Sequence, residues 1–254
     1  MAASEEIVLA VDGINIVGQL YLPGEVALSP YPIVCVCHGI PAHAPDPSAS
    51  GYPVLAERIC QDGFAVFIFN FRGTGSSGGN LDILGWTRDL KAVLDYILTL
   101  PEVDESRLSL FGFSGGAAVS VVVASQDKRV SNIVACACPA RFSFAELDKP
   151  QQLVEHFRSI GAIRDDDFPP SLSRWVNGFG EVSPVNYVAE VAPRPLLLVH
   201  GSGDDVVPVA QACEMYDRAG EPKKLEIISG VGHRLRQEER AMAIAIDWLK
   251  AHKQ

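Results

Sequence analysis

The sequence predicts an α/β protein built on a mostly parallel sheet of about eight strands, covered by helices on both faces. Three observations carry that prediction. Short continuous apolar runs recur along the chain, as in Ile33-Val34-Cys35-Val36-Cys37 and Ala65-Val66-Phe67-Ile68-Phe69. Stretches with helical spacing of apolar residues separate these runs. The chain begins with two alternating segments joined by Asp12-Gly13, a hairpin signal that places antiparallel strands at the sheet edge.

The elements follow in order. After the hairpin (5–11 and 15–23) comes a strand at 32–37, then a helix over 51–62 ending near Gly63. The strand 65–69 precedes a long amphipathic helix over 81–100, stopped by Pro101. A strand at 107–113, a helix over 114–125 and a strand at 132–138 continue the alternation. Residues 139–190 break it, with Pro139, Pro150, Pro169-Pro170 and Pro184, the acidic run Asp165-Asp166-Asp167, and helical stretches at 144–160 and 171–178. The rhythm resumes with Leu196-Leu197-Leu198-Val199, a helix, Leu225-Glu226-Ile227-Ile228 and a final helix over 235–252. The organisation expected is a core of residues 1–138 and 191–254, with 139–190 as a small, mainly helical cap inserted before the penultimate strand.

With 254 residues, 48% of them hydrophobic, the chain has enough material for one large core. Its formal net charge of −10 argues against nucleic acid and anionic membrane surfaces as partners. The N-terminal Met-Ala-Ala-Ser-Glu-Glu shows neither a basic nor an apolar signal region, and no apolar run is long enough to span a membrane; the expected location is the cytoplasm. A small molecule is the expected partner, with the chain a monomer or small homo-oligomer. The six cysteines fall on strand or helix patterns without metal-ligand spacing and read as core residues, so no metal is expected.

Gly112-Phe113-Ser114-Gly115-Gly116 fits G-x-S-x-G, and its context gives it meaning. It follows the apolar run Leu108-Ser109-Leu110-Phe111 and opens a helix of small apolar residues. A strand, a sharp turn and a helix around a serine make a nucleophile elbow. A serine hydroxyl needs a base, and the base an orienting carboxylate; in such folds they follow in the order Ser, Asp, His after later strands. His233 ends the Ser229-Gly230-Val231-Gly232-His233 loop after one late strand, which makes it the base. Asp204 and Asp205 both follow the other late strand, and spacing does not separate them. His38, His43, His156, His200 and His252 lack a matching context and read as structural or exposed.

These segments, together with His38-Gly39-Ile40-Pro41, Phe71-Arg72-Gly73-Thr74-Gly75-Ser76-Ser77 and His200-Gly201…Asp204…Val207-Pro208, resemble the landmarks of the α/β-hydrolase superfamily over nearly the whole chain. Within it the chain is similar to bacterial carboxylesterases of the cinnamoyl/feruloyl-esterase and dienelactone-hydrolase-related type. The resemblance implies Asp204 as the acid and a serine esterase working through an acyl-enzyme, without cofactor. One oxyanion donor should be the N–H of Gly115, next after the nucleophile. The other should come from the loop after the third strand; Pro41 has no N–H, so Ile40 is the candidate and Gly39 the alternative. The chain lacks the H-G-G-G form of some lipases, and the resemblance therefore disfavours esters of bulky tertiary alcohols.

Thioesterase, small-peptidase and carbon–carbon hydrolase chemistry use the same machinery and stay open. A binding protein on a hydrolase scaffold is disfavoured by the full Ser114, Asp204, His233 set. Gly73-Thr74-Gly75-Ser76-Ser77-Gly78 also fits a dinucleotide-binding string, but its helix starts too late and no acidic strand end follows; it reads as a turn braced by Arg72. In 139–190 the side chains of Phe142, Phe144, Leu147, Phe157, Phe168, Leu172, Trp175 and Phe179 need an apolar surface, and the mouth of the site is the nearest. Phe144 and Trp175 are therefore expected to line the substrate pocket.

Overall fold

The computed structural model describes residues 3–24, 29–44, 51–142 and 149–253. Eight strands form one sheet: β1 (Ala3–Val11), β2 (Ile14–Leu22), β3 (Tyr31–Cys37), β4 (Ala65–Phe69), β5 (Val103–Phe113), β6 (Val130–Cys136), β7 (Leu196–Gly201) and β8 (Lys223–Ile228). Their order is β1-β2-β4-β3-β5-β6-β7-β8. β1 and β2 pair antiparallel, as do β2 and β4, and every other neighbouring pair is parallel. The hairpin turns where expected, with positive φ at both Asp12 and Gly13 (53° and 77°), the backbone of a tight primed turn.

Strand alternation divides the core into two layers. On β3, Ile33, Cys35 and Cys37 face one layer, and Val34 and Val36 face the other. The first layer is closed by α2 (Ile83–Ile97), α3 (Gly115–Gln126) and α6 (Val209–Arg218), the second by α1 (Gly51–Gln61) and α7 (Glu239–Ala251). α2 is amphipathic in the ordinary way: Ile83, Trp86, Leu90, Val93, Leu94 and Ile97 are buried along one stripe. α3 is not, because every residue from Gly115 to Ser125 is buried. Its Gly, Ala, Val and Ser side chains let it sit deep against the sheet, where larger ones would not fit. Five of the six cysteines are buried.

The turn after β4 is braced as expected. Arg72 is buried; its guanidinium pairs with the buried carboxylate of Asp89 at 2.7 Å and with Asp12 at 2.9 Å. Trp86 donates its indole N–H to the Arg72 carbonyl and stacks on Phe71 with ring centroids 4.3 Å apart. Burial pushes the Asp89 carboxyl above its usual range, opposed by the Arg72 charge.

Between β6 and β7 the chain leaves the sheet. The described part carries α4 (Pro150–Ser159), α5 (Leu172–Glu181) and two short 3₁₀ turns, Pro184–Asn186 and Val188–Val191. Arg164 ties this segment down by donating to the carbonyls of Ser77 and Gly75. Asn80 adds a second tie, its side-chain oxygen accepting the N–H groups of Arg164 and Asp165. Among the described residues, no helix is long and apolar enough to cross a membrane.

Candidate active site

The carboxyl ends of β3, β5, β7 and β8 bring the candidate residues to one edge of the sheet. β5 ends at Phe113, and α3 begins at Gly115. Ser114 between them has φ 50° and ψ −122°, a conformation that costs a non-glycine residue of order 1–3 kcal/mol. The surroundings hold it there: its N–H donates to the Cys136 carbonyl at 2.8 Å, and its carbonyl accepts from Ala118 at 3.1 Å. A side chain at Gly116 would overlap the carbonyls of His38 and Cys37, so glycine allows α3 to start directly against the end of β3.

His233 Nε2 lies 3.0 Å from Ser114 Oγ, and His233 Nδ1 lies 2.8 Å from Asp204 Oδ2. The Asp204 side chain is fully buried. Its Oδ1 accepts the N–H groups of Val206 at 2.9 Å and Val207 at 2.8 Å, so both carboxylate oxygens have donors. Asp205 is exposed. The two loops are laced together: Gly203 donates to the Val231 carbonyl and Ser202 to the Ile228 carbonyl, both at 2.9 Å. A side chain at Gly201 would overlap the Val231 carbonyl.

Beneath this line sits His200, 1% exposed. Its Nε2 is 2.8 Å from the Val207 carbonyl, and burial holds its pKa below the ordinary histidine value. Donating from Nε2, it fixes the turn that carries the two N–H donors to Asp204.

Loop 38–41 closes the other side of Ser114. His38 Nδ1 donates to the Gly39 carbonyl at 2.8 Å, and its Nε2 accepts the Phe71 N–H at 3.1 Å. Burial lowers the His38 pKa to about 4, so the ring is neutral and both bonds are compatible with one tautomer. Ile40 packs on Gly115, with its N 3.4 Å from where a Gly115 Cβ would stand. Among the described residues, neither N–H has a loop or side-chain acceptor.

Ser114 opens into a cavity of about 570 Å³. Its apolar walls include Ile40, Phe142, Leu153, Phe157 and Val207, and Arg141, Gln152, His156 and Gln211 supply the polar groups. A second cavity, of about 520 Å³, lies beyond Gly39 and Pro41 against Glu6, His43 and Arg164; Ser114 does not line it.

Of the aromatic residues in 139–190, Phe142 and Phe157 line the cavity. Trp175 does not. It is buried one layer behind, its indole N–H donating to the Leu81 carbonyl at 2.8 Å and its ring edge-on to Phe157 and Phe179. Once its N–H is satisfied by backbone, the indole packs best as a strut between segments. Phe144 lies outside the described residues. Leu153, Gln152 and Gln211 line the cavity without having been singled out in the sequence. The amphipathic spacing of α4 could have flagged Leu153; nothing local marks Gln211.

A family model described as the prolyl oligopeptidase family matches residues 55–254. The chain belongs to this family. The match runs from α1 to the end and takes in the segments that carry Ser114, Asp204 and His233. In sequence, the chain is 29% identical to the uncharacterized protein YfhR of Escherichia coli over 225 residues, covering 88% of this chain and 71% of the relative. In structure, it is similar to the α/β hydrolase GrgF of Penicillium, with TM-score 0.77, 20% identity and 99% of each chain covered. It is also similar to Est1E of Butyrivibrio proteoclasticus, solved with ferulic acid bound, with TM-score 0.72, 19% identity and 96% of each chain covered. The fold is that of the α/β hydrolases, and the family assignment makes the chain a hydrolase.

Proposed function

We propose that the chain is a serine esterase that cleaves esters of small, largely apolar carboxylic acids or alcohols. The observation that carries this reading is the position of His233, within hydrogen-bond reach of Ser114 on one side and of Asp204 on the other.

In this reading Ser114 Oγ attacks the ester carbonyl carbon while His233 Nε2 takes the hydroxyl proton. Asp204 keeps the Nδ1 proton directed away from the serine and stabilises the imidazolium that forms. The negative charge that develops on the carbonyl oxygen meets the N–H groups of Gly115 and Ile40. Collapse breaks the bond to the leaving oxygen, which departs as the alcohol after taking the proton from His233. The acyl group remains on Ser114. Water then loses a proton to His233, attacks the acyl carbon and releases the acid, and the proton returns to Ser114.

Amide bonds are the second reading, favoured by the family match. A peptide with a free amino terminus needs a carboxylate to hold its ammonium group. The described residues that line the cavity next to Ser114 are mostly apolar, with no aspartate or glutamate among them, and these apolar walls favour neutral esters. That Est1E binds ferulic acid adds a fold-level analogy for a carboxylic acid product. The test compares p-nitrophenyl esters with peptide p-nitroanilides, after labelling with a fluorophosphonate. Labelling at Ser114 with ester turnover far above amide turnover fits the proposal, and efficient peptide cleavage with negligible ester turnover contradicts it.

A further inference from the structure

Among the described residues that line the cavity beside Ser114, Gln211 carries a polar group whose orientation is fixed by the backbone. Gln211 stands near the start of α6 and is half-buried. Its Oε1 accepts two backbone N–H groups, from Ala140 at 2.8 Å and from Arg141 at 3.1 Å. Both partners are donors, so the amide cannot be turned over: its oxygen must face them, and its NH₂ must face away. That NH₂ has no hydrogen-bond partner among the described residues. It is not among the buried unsatisfied groups, and Gln211 is one of the residues that line the cavity.

The other polar groups of the cavity are differently placed. Arg141 is held in a two-pronged ion pair with Glu214, one turn beyond Gln211 on α6. Gln152 and His156 are exposed on α4. The rest of the cavity lining includes the apolar Pro139, Phe142, Val206 and Val207. A donor held in place in such surroundings favours an acceptor oxygen and disfavours a bare methylene, because an apolar group there leaves the NH₂ desolvated and unpaired.

We infer that Gln211 is a specificity residue of the esterase reading proposed above, and that its NH₂ hydrogen-bonds an acceptor oxygen (ether, carbonyl or hydroxyl) on an otherwise apolar acyl or alcohol chain. The preferred substrates are then oxygenated esters rather than plain hydrocarbon ones. The competing account is that Gln211 only holds the 140–141 backbone in place.

The experiment uses two series. In one, p-nitrophenyl heptanoate is compared with analogues in which one methylene of the acyl chain is replaced by oxygen or carbonyl at successive positions. In the other, heptyl acetate is compared with the same replacements along the alcohol. Each is assayed with wild type, Gln211→Leu and Gln211→Glu. Glu keeps acceptors for the Ala140 and Arg141 N–H groups but removes the NH₂ donors. Comparing each analogue with its parent, and then variant with wild type, cancels the intrinsic reactivity of the esters. For at least one analogue, kcat/KM should fall about tenfold more than for its parent ester, and in both variants. Parallel losses for parent and analogues, with recovery in Gln211→Glu, overturn the inference and leave Gln211 a backbone brace. If wild type turns over no ester of either series, the esterase reading fails and the inference falls with it; turnover without a shifted ratio overturns the inference alone.

Discussion

Asp204 Oδ2 and His233 Nδ1 are 2.8 Å apart, although they stand on different loops after neighbouring strands. The adjacent Asp205 is exposed. This difference arises from the turn at 204–207, where the N–H groups of Val206 and Val207 converge on Asp204 Oδ1 and draw that carboxylate inward. A carboxylate held by two N–H donors and an imidazole is fixed in direction.

Asp204→Asn should therefore remove the group that orients His233 and stabilises its charge, lowering kcat about 10²–10⁴-fold. Asp205→Asn should lower it less than threefold. Steady-state kinetics of the two variants on one p-nitrophenyl ester check this, and the reverse ranking would move the acid to Asp205.

The aromatic residues between β6 and β7 separate into two groups. Phe157 lines the cavity, and Trp175 packs behind it with its N–H bound to the Leu81 carbonyl. Phe157→Ala should change the kcat/KM ratio between short and bulky aromatic esters by about tenfold, the scale of one or two kcal/mol of apolar contact. Trp175→Ala should instead lower stability by about 3–5 kcal/mol and reduce turnover of all esters in parallel. Chemical denaturation and the ester ratio, measured together, distinguish the two residues.

Much of the candidate site was legible in the sequence because its residues sit at strand ends, where apolar runs stop and glycines begin. Ser114 and His233 could be read from that context alone. Asp204 could not be told from Asp205 by spacing, since the choice depends on two backbone N–H groups that only the folded turn presents. Trp175 was misplaced because composition reports that an indole needs burial and does not say on which side of a helix it finds it. Gln211 was missed because a lone glutamine on a helix looks like a surface residue until the 140–141 backbone is laid across it. The sheet order was accessible only as a class: alternation of strand and helix predicts parallel pairing, but the crossover of β3 and β4 comes from the structure.

Acid should destabilise the fold through His38. Its pKa drops from 6.5 to about 4 on burial. Between those values the unfolded chain binds the proton and the folded chain does not, so the stability tied to this group is fully present above pH 6.5 and is lost as the pH falls toward 4. The loss from this group is up to about 3 kcal/mol. His200, depressed in the same direction by burial, adds to it. Urea unfolding of wild type and His38→Gln from pH 7.5 to 4.5 measures the difference. The variant should show a visibly shallower decline, and identical slopes would show that His38 is not held neutral.

The central claim is that Ser114 Oγ is the attacking atom. Ser114→Ala leaves β5, α3 and the His233–Asp204 contact in place, so the fold should persist by circular dichroism. The direct measurement is kcat/KM of this variant on the best p-nitrophenyl ester, together with its labelling by a fluorophosphonate. The account predicts a loss of about 10⁴-fold or more and no labelling. Ester turnover within tenfold of wild type, in a folded variant, would contradict it.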